Sequence, residues 1–269
     1  MTAFRTHFAF EFKTGLRNAT LLMMNYLFPL GFYALIGLIM VQINPLFQAT
    51  MLPALVIFVA MASLLLGLPS PLVEQREAGI FRTYKINGVP AVSILAIPTL
   101  TTIVHAVIAS TIIVLTAAPL FGAAPPANWP AFALISLLTI LTFGALGALI
   151  GVVSANSRAT VLWSQLIFLP SMLIGGLMVP LAVLPKAILP FAALLPSARA
   201  MQAYAGLAYD APTVFDPVIS AGVLAATAVL AAGLAIYLFD WDRVNLTRRG
   251  HPLMALLVLV PGVLGLLLS

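Results

Sequence analysis

"VEQREAGIFRTYKINGVP", residues 73–90, holds five of the nineteen Asp, Glu, Lys and Arg residues of this chain. On either side lie stretches with no such charge, from Asn18 to Val73 and from Ile86 to Ser157. Charge-free runs of this length around a short charged island are the pattern of a chain that crosses lipid and surfaces briefly. Hydrophobic residues make up 62% of the chain and charged residues 7%, against about 25% charge in a soluble domain. No water-compatible surface can be built from such a sequence, so the chain is an integral membrane protein. The spans use nearly all of its 269 residues, which leaves no room for a soluble domain of even about 50 residues. There is no cysteine, which excludes disulfides, thiol catalysis and thiolate metal sites. The net charge of +5 is spread along the loops. It marks topology and is not a nucleic-acid patch, so no nucleic-acid partner is expected.

Six segments are apolar enough to span about 30 Å of hydrocarbon: roughly 21–43, 51–72, 91–118, 130–153, 161–180 and 218–239. Their apolar runs do not alternate, so strands are excluded and the expected fold is all-α and polytopic. Phe4, Phe8, Phe12 and Leu16 recur at spacing four. They predict an N-terminal helix in the membrane interface with its Phe side in lipid, an ordinary polar tail being the alternative. Glu11, Lys13 and Arg17 interrupt what would have to be the apolar core of a cleavable signal peptide. With the N-terminus inside, the inner segments carry ten Lys and Arg residues and the outer ones only Lys186 and Arg199. That bias places the charged island in the cytoplasm. A further apolar piece at 252–269 is short for a span and contains Pro261. Crossing the membrane and lying shallowly in it are both open to it.

Residues 72–86 predict one amphipathic helix, with Pro71 at its start and Asn87-Gly88 at its end. On a helical wheel Val73, Ile80, Phe81 and Tyr84 share an apolar face, and Glu77 falls among them. No residue of opposite charge stands three or four positions from any charge in the island. One reading is a solvated loop whose charges only mark topology. The sharper one is a docking helix whose charges, Glu77 above all, pair outside it.

The island resembles the cytoplasmic connection between spans 2 and 3 in type-2 membrane subunits of ATP-binding-cassette (ABC) exporters. Glu74, Arg76, Glu77, Gly79, Arg82 and Pro90 match that family's pattern. "GGLMVPLAVLPKAILPFAALLPSARAMQAYAGL", residues 175–207, is similar to the family's end of span 5 and its outer re-entrant region, through Gly175, Gly176, Pro180, Pro185 and Pro196. The resemblance covers residues 1–245 as a transmembrane domain, and 246–269 is an apolar extension outside the common six-span layout. It implies two permease subunits around a pathway, either a homodimer or a related heterodimer, and a separate cytoplasmic ABC ATPase that carries the ATP and Mg²⁺. Residues 73–87 would be the coupling helix, with Glu74, Arg76, Glu77, Gly79, Phe81, Arg82 and Tyr84 facing that ATPase. The plasma membrane is the implied location.

The chain itself has no G-x-x-x-x-G-K-[ST] loop, no H-E-x-x-H and no G-x-S-x-G. No cofactor of its own and no enzymatic activity are expected. Asp240 and Asp242, beside Trp241 in "FDWDRVN", read as interface anchoring more than as a metal pair. No Asp, Glu, Lys or Arg sits deep in a span, which favours an external energy source over ion coupling. His105, near the middle of span 3, is the exception. It is a proton relay or substrate contact, or else a buried ring bonded to a neighbouring hydroxyl or carbonyl, for which its own span offers Thr101. Gly144, Gly147 and Gly151 predict close helix packing along one side of span 4, with a substrate groove as the rival reading. Three function classes follow: an exporter subunit for an amphiphile, drug or lipid; an assembly or scaffold protein; and an ATP-independent channel or carrier.

Overall fold

A computed structural model describes residues 2–44, 47–241 and 250–268. The expected domain boundary at 245, and Asp242, Arg243, Arg248 and Arg249, fall outside the described residues, as do the side chains of Phe4 and Arg5.

All described regular elements are helical. They are α1 (Thr2–Arg17), α2 (Ala19–Ile43), α3 (Phe47–Glu77), α4 (Ile80–Ile86), α5 (Ala91–Phe121), α6 (Trp129–Val153), α7 (Ser157–Ile174), α8 (Leu189–Ala192), α9 (Pro196–Ala203), α10 (Pro217–Tyr237) and α11 (Val260–Leu268). Five of these, α2, α3, α5, α6 and α10, are long and apolar enough to cross a membrane. The segment expected at 161–180 is shorter than predicted. α7 has 18 residues, about 27 Å, and ends at Gly175. The chain turns there through two glycines: a Cβ on Gly175 would lie 2.2 Å from the Ser171 carbonyl oxygen, and Gly176 has φ +87°.

α3 is the hub. Met51 to Leu65 are buried almost throughout, with α2, α5, α6 and α7 packed around them. Phe58 stacks on Phe32 of α2 at 3.9 Å and meets Phe168 of α7 at 6.1 Å. Gly147 explains how α6 approaches so closely, since a Cβ there would stand 1.9 Å from the Leu64 carbonyl oxygen. Gly151 meets Leu72 and Gly144 meets Ile103 of α5. The glycine stripe is therefore a packing surface, as small residues on a span predict.

Prolines shape the spans without ending them. Pro29 has no N–H to donate to the carbonyl four residues back, and the turn at Met23–Leu27 widens to an i→i+5 pattern in which Phe28 N–H reaches the Met23 carbonyl. Pro69 and Pro71 act likewise behind the wide turn at Met61–Gly67. The two wide turns lie against each other.

At 31 residues, α3 is about 46 Å long and outruns a bilayer of about 30 Å. The island's first half is therefore the end of this span, not a separate helix. The helix predicted over 72–86 is broken at Gly79, whose φ of +73° is the left-handed closing conformation that glycine adopts without strain. α4 then restarts in a new direction.

At the other end, residues 181–208 form short helices and not a hydrophilic loop, and 209–215 connect them to α10 without a helix. Residues Ser197–Ala203 are all buried. Pro180 caps a single turn at Leu181–Val183, Pro185 accepts from Ile188 N–H at 2.9 Å, and Pro196 starts α9. The Tyr204 hydroxyl donates to Ser136 Oγ at 2.8 Å. Ser136 lies seven residues into α6, about 10 Å from its start.

The C-terminal piece runs antiparallel to α10. Gly250 sits on Tyr237 and Leu238, at the island end of α10. Gly262 and Gly265 sit on Leu194, Val223 and Arg199 at the opposite end. Residues Pro252–Leu259 are stretched into a 3₁₀ helix, and together with α11 they cover about 30 Å. The described 250–268 thus lies along the length of α10.

Candidate functional site

Two features lie at the island end: the island itself, and a polar chamber that it borders.

In the island, the structure reverses the expected roles of two adjacent residues. Glu77 is exposed and Arg76 is buried. The wheel that placed Glu77 among Ile80, Phe81 and Tyr84 assumed one continuous helix, and the break at Gly79 removes that premise. Arg76 continues the buried stripe of α3 through Leu68 and Leu72, which is the helical period of span 2 carried one turn further. Its Nη1 donates to the Val152 carbonyl at 2.8 Å and its Nη2 to the Ser154 carbonyl. These oxygens close α6, so a guanidinium meets the negative end of that helix.

α4 is held differently. Phe81 is buried and its ring lies 5.7 Å from Phe239. Phe239 contacts Trp241 at 5.2 Å, and Lys85 Nζ lies 5.9 Å over the Trp241 ring. Trp241 thus joins the end of α10 to the island. Burial, and then the Glu11 carboxylate, push the Tyr84 phenol above its ordinary range. What remains exposed is a mixed surface of Glu74, Glu77, Arg82, Lys85, Ile80 and Ile86. Gly79 has open space beyond its Cα, so its requirement is conformational.

Beside the island, α1, α2, α3 and α5 enclose a chamber of about 550 Å³. His105 is buried in its wall. Its Nδ1 pairs with the Tyr26 hydroxyl at 2.7 Å, and Phe12 of α1 stacks on its ring at 4.4 Å. The expected contact with a neighbouring hydroxyl is there, but it comes from α2. Thr101 instead donates to the Ile97 and Pro98 carbonyls within α5. Phe12 is likewise against the bundle, where the sequence pattern had placed it in lipid. Nε2 faces Gly15, where a Cβ would come within 2.7 Å of it. Asn25 Oδ1 is buried and makes no hydrogen bond among the described residues. Asn25, in the wide turn of α2, has no motif that would have marked it.

At the end of the bundle opposite the island Arg199 is fully buried. Nε donates to the Ala193 carbonyl at 2.9 Å and Nη2 to the Gly262 carbonyl at 3.2 Å, with the Phe215 ring 4.8 Å away. Read from sequence only as an outer topology charge, Arg199 ties α9 to the C-terminal piece. Among the described residues no group of three or more His, Asp or Glu could hold a metal ion.

A chain of long apolar helices packed around one buried span is a multi-pass membrane protein. The sequence model of the ABC-2 type transporter family matches residues 2–209. The chain belongs to that family. Comparison with curated proteins and with solved structures gives no match.

Proposed function

We propose that this chain is the membrane-spanning subunit of an ATP-driven exporter and forms a translocation pathway for an amphiphilic substrate such as a drug, lipid or glycolipid. A separate ABC ATPase carries ATP and Mg²⁺ and seats on residues 73–87. A second permease subunit completes the pathway. The N-terminus and island face the cytoplasm of the plasma membrane, the outer layer at 181–208 dips into the membrane, and 252–268 crosses it.

The observation that carries the reading is the construction of the island. Arg76 fixes one half to α3 and α6, Phe81 fixes the other to α10, and between them lies an exposed charged and apolar surface. A force applied there would act on three spans at once. The reach of Tyr204 to Ser136 supports an outer layer at membrane depth, where irregular backbone needs cover from protein. α2 and α7 flank α3 and leave Leu38 and Leu162 exposed, an apolar face suited to a second subunit.

The test is a photo-crosslinking residue at Arg82, which is exposed, in cells that express this chain together with a candidate ABC ATPase from the same genome. Capture of the ATPase, together with ATPase activity that responds to this subunit, is expected. An ATPase indifferent to the subunit and never captured would favour a scaffold.

A further inference from the structure

A groove of about 550 Å³ runs between α7 and the C-terminal piece, with α6 as its floor. One wall extends from Trp163 to Ile174 and the other from Pro252 to Leu259. At the rises of an α-helix and a 3₁₀ helix these walls are about 16 Å and about 14 Å long. Val153, the last residue of α6, lines the island end. Phe191, Leu194 and Leu195 line the far end.

Among the described lining residues only Trp163 has a polar side-chain atom, its indole N–H. A water needs about 2–4 polar partners to stay in a cavity, so the groove does not hold water. Left empty, it forfeits the dispersion contacts of every side chain along it. Those side chains stand open: Leu166 on one wall and Leu253 and Leu256 on the other are each more than half exposed. The second wall also needs support. Pro252–Leu259 is a 3₁₀ helix of 8 residues with none of them buried, whereas such helices seldom run beyond about 3–4 residues because their hydrogen bonds are poorly aligned. α10 packs against this run on one side, and the groove borders it on another.

Length and closure narrow the occupant. A spanning helix of a second subunit covers about 30 Å of hydrocarbon, and would collide with the far end of a groove half as long. A flexible tail that enters from the island side and stops does fit, because one leaflet is about 15 Å deep, half of the hydrocarbon core. We propose that this groove holds one acyl chain of a phospholipid from the island-side leaflet, as a resident component of the fold and not as cargo. Trp163, the one lining residue with a donor, belongs to the island end of its wall, where the ester carbonyl of that chain lies. The tail touches α6, α7 and the C-terminal piece together, and so joins Pro252–Leu259 to the bundle on a side that α10 does not reach. Binding is a property of this chain without an ATPase. Failure of the ATPase crosslink leaves the groove standing, and an empty groove leaves the exporter reading standing.

A tail gains no hydrophobic energy by leaving other tails for this groove, since lipid tails are as apolar as leucine. The distinguishing property is retention once the bilayer is removed. The experiment uses the full chain, delipidated in a sterol-based detergent that has no alkyl tail to compete. Native mass spectrometry then follows titration with dipalmitoyl- and with dihexanoylphosphatidylcholine. Saturable binding of one dipalmitoyl lipid per chain is expected, and none of the dihexanoyl lipid, whose tails are too short to reach the far end. Leu256→Trp and Leu166→Trp fill the groove from opposite walls at exposed positions. Each weakens binding about tenfold or more, the worth of roughly two displaced methylenes. Val229→Trp, at an exposed position of α10 outside the groove, leaves binding unchanged. Bound dipalmitoyl lipid is also expected to slow hydrogen exchange across 253–259 in the parent and not in Leu256→Trp. Absence of a saturable lipid, equal binding of both chain lengths, or parental affinity in both groove variants overturns the proposal.

Discussion

Arg76→Leu separates the structural account of the island from the one that helical periodicity suggests. The buried guanidinium donates to the carbonyls of Val152 and Ser154. A hydrogen bond from a charged donor contributes about 1.5–3 kcal/mol, and a cation at a helix C-terminus adds up to about 1 more. Leucine keeps the packing against α6 but strands two carbonyls in a dry site. The expected loss is about 3–5 kcal/mol, which lowers the melting midpoint of a chain this size by roughly 10 °C. Arg76→Lys keeps the charge with one donor in reach at a time and loses about half as much. Glu77→Gln, one position on but exposed, changes stability by less than about 0.5 kcal/mol. The assay is thermal unfolding of the purified full chain in nanodiscs, with retention on gel filtration as the check on folding. If Arg76→Leu and Glu77→Gln melt within about 2 °C of each other, the Arg76 lock does not hold the island and the reasoning fails.

Gly147→Ala places a Cβ 1.9 Å from the Leu64 carbonyl oxygen, whereas Gly222→Ala meets nothing within 4 Å. The first is expected to destabilise by about 3 kcal/mol or more and the second to be neutral or slightly stabilising, in the same melting assay. Arg199→Leu unties the Ala193 and Gly262 carbonyls from each other, and hydrogen exchange in 190–195 and 260–266 is expected to rise while α3 stays protected. Tyr84 ionises above the usual phenol range because of burial and then Glu11. Its folded-state pKa is raised, so its contribution is complete below the unfolded pKa and is lost as pH climbs through the folded one. Ultraviolet titration of the parent against Tyr84→Phe locates that step, and Glu11→Gln is expected to move it down. Cysteines at Thr83 and Ala127 are expected to be labelled from opposite sides of intact cells, and labelling of both from outside overturns the topology.

Much of the class of this protein is legible in its sequence because lipid imposes its demand on every residue of a span. Charge-free runs, prolines and glycines at their ends, and the Lys and Arg bias are local facts that can be read in line. The glycine stripe of α6 is legible for the same reason, since a missing Cβ is visible without knowing the partner helix. Which face of each span is inside is not legible. In a membrane the lipid side and the core side are both apolar, so the period that betrays a buried face in a water-soluble helix is faint. Nothing in the run from Phe47 to Gly67 marks it as the hub, and nothing in that from Ser157 to Ile174 marks it as peripheral. The roles of Arg76 and Glu77 turned on a single dihedral at Gly79, which a helical wheel cannot contain. Partners distant in sequence were decided by packing alone: Arg76 with Val152 and Ser154, Tyr26 with His105, Arg199 with Gly262. A buried polar group takes whatever partner the fold brings within about 3 Å. The chain order fixed that each such group needs a partner, and only the tertiary structure decided which one it has.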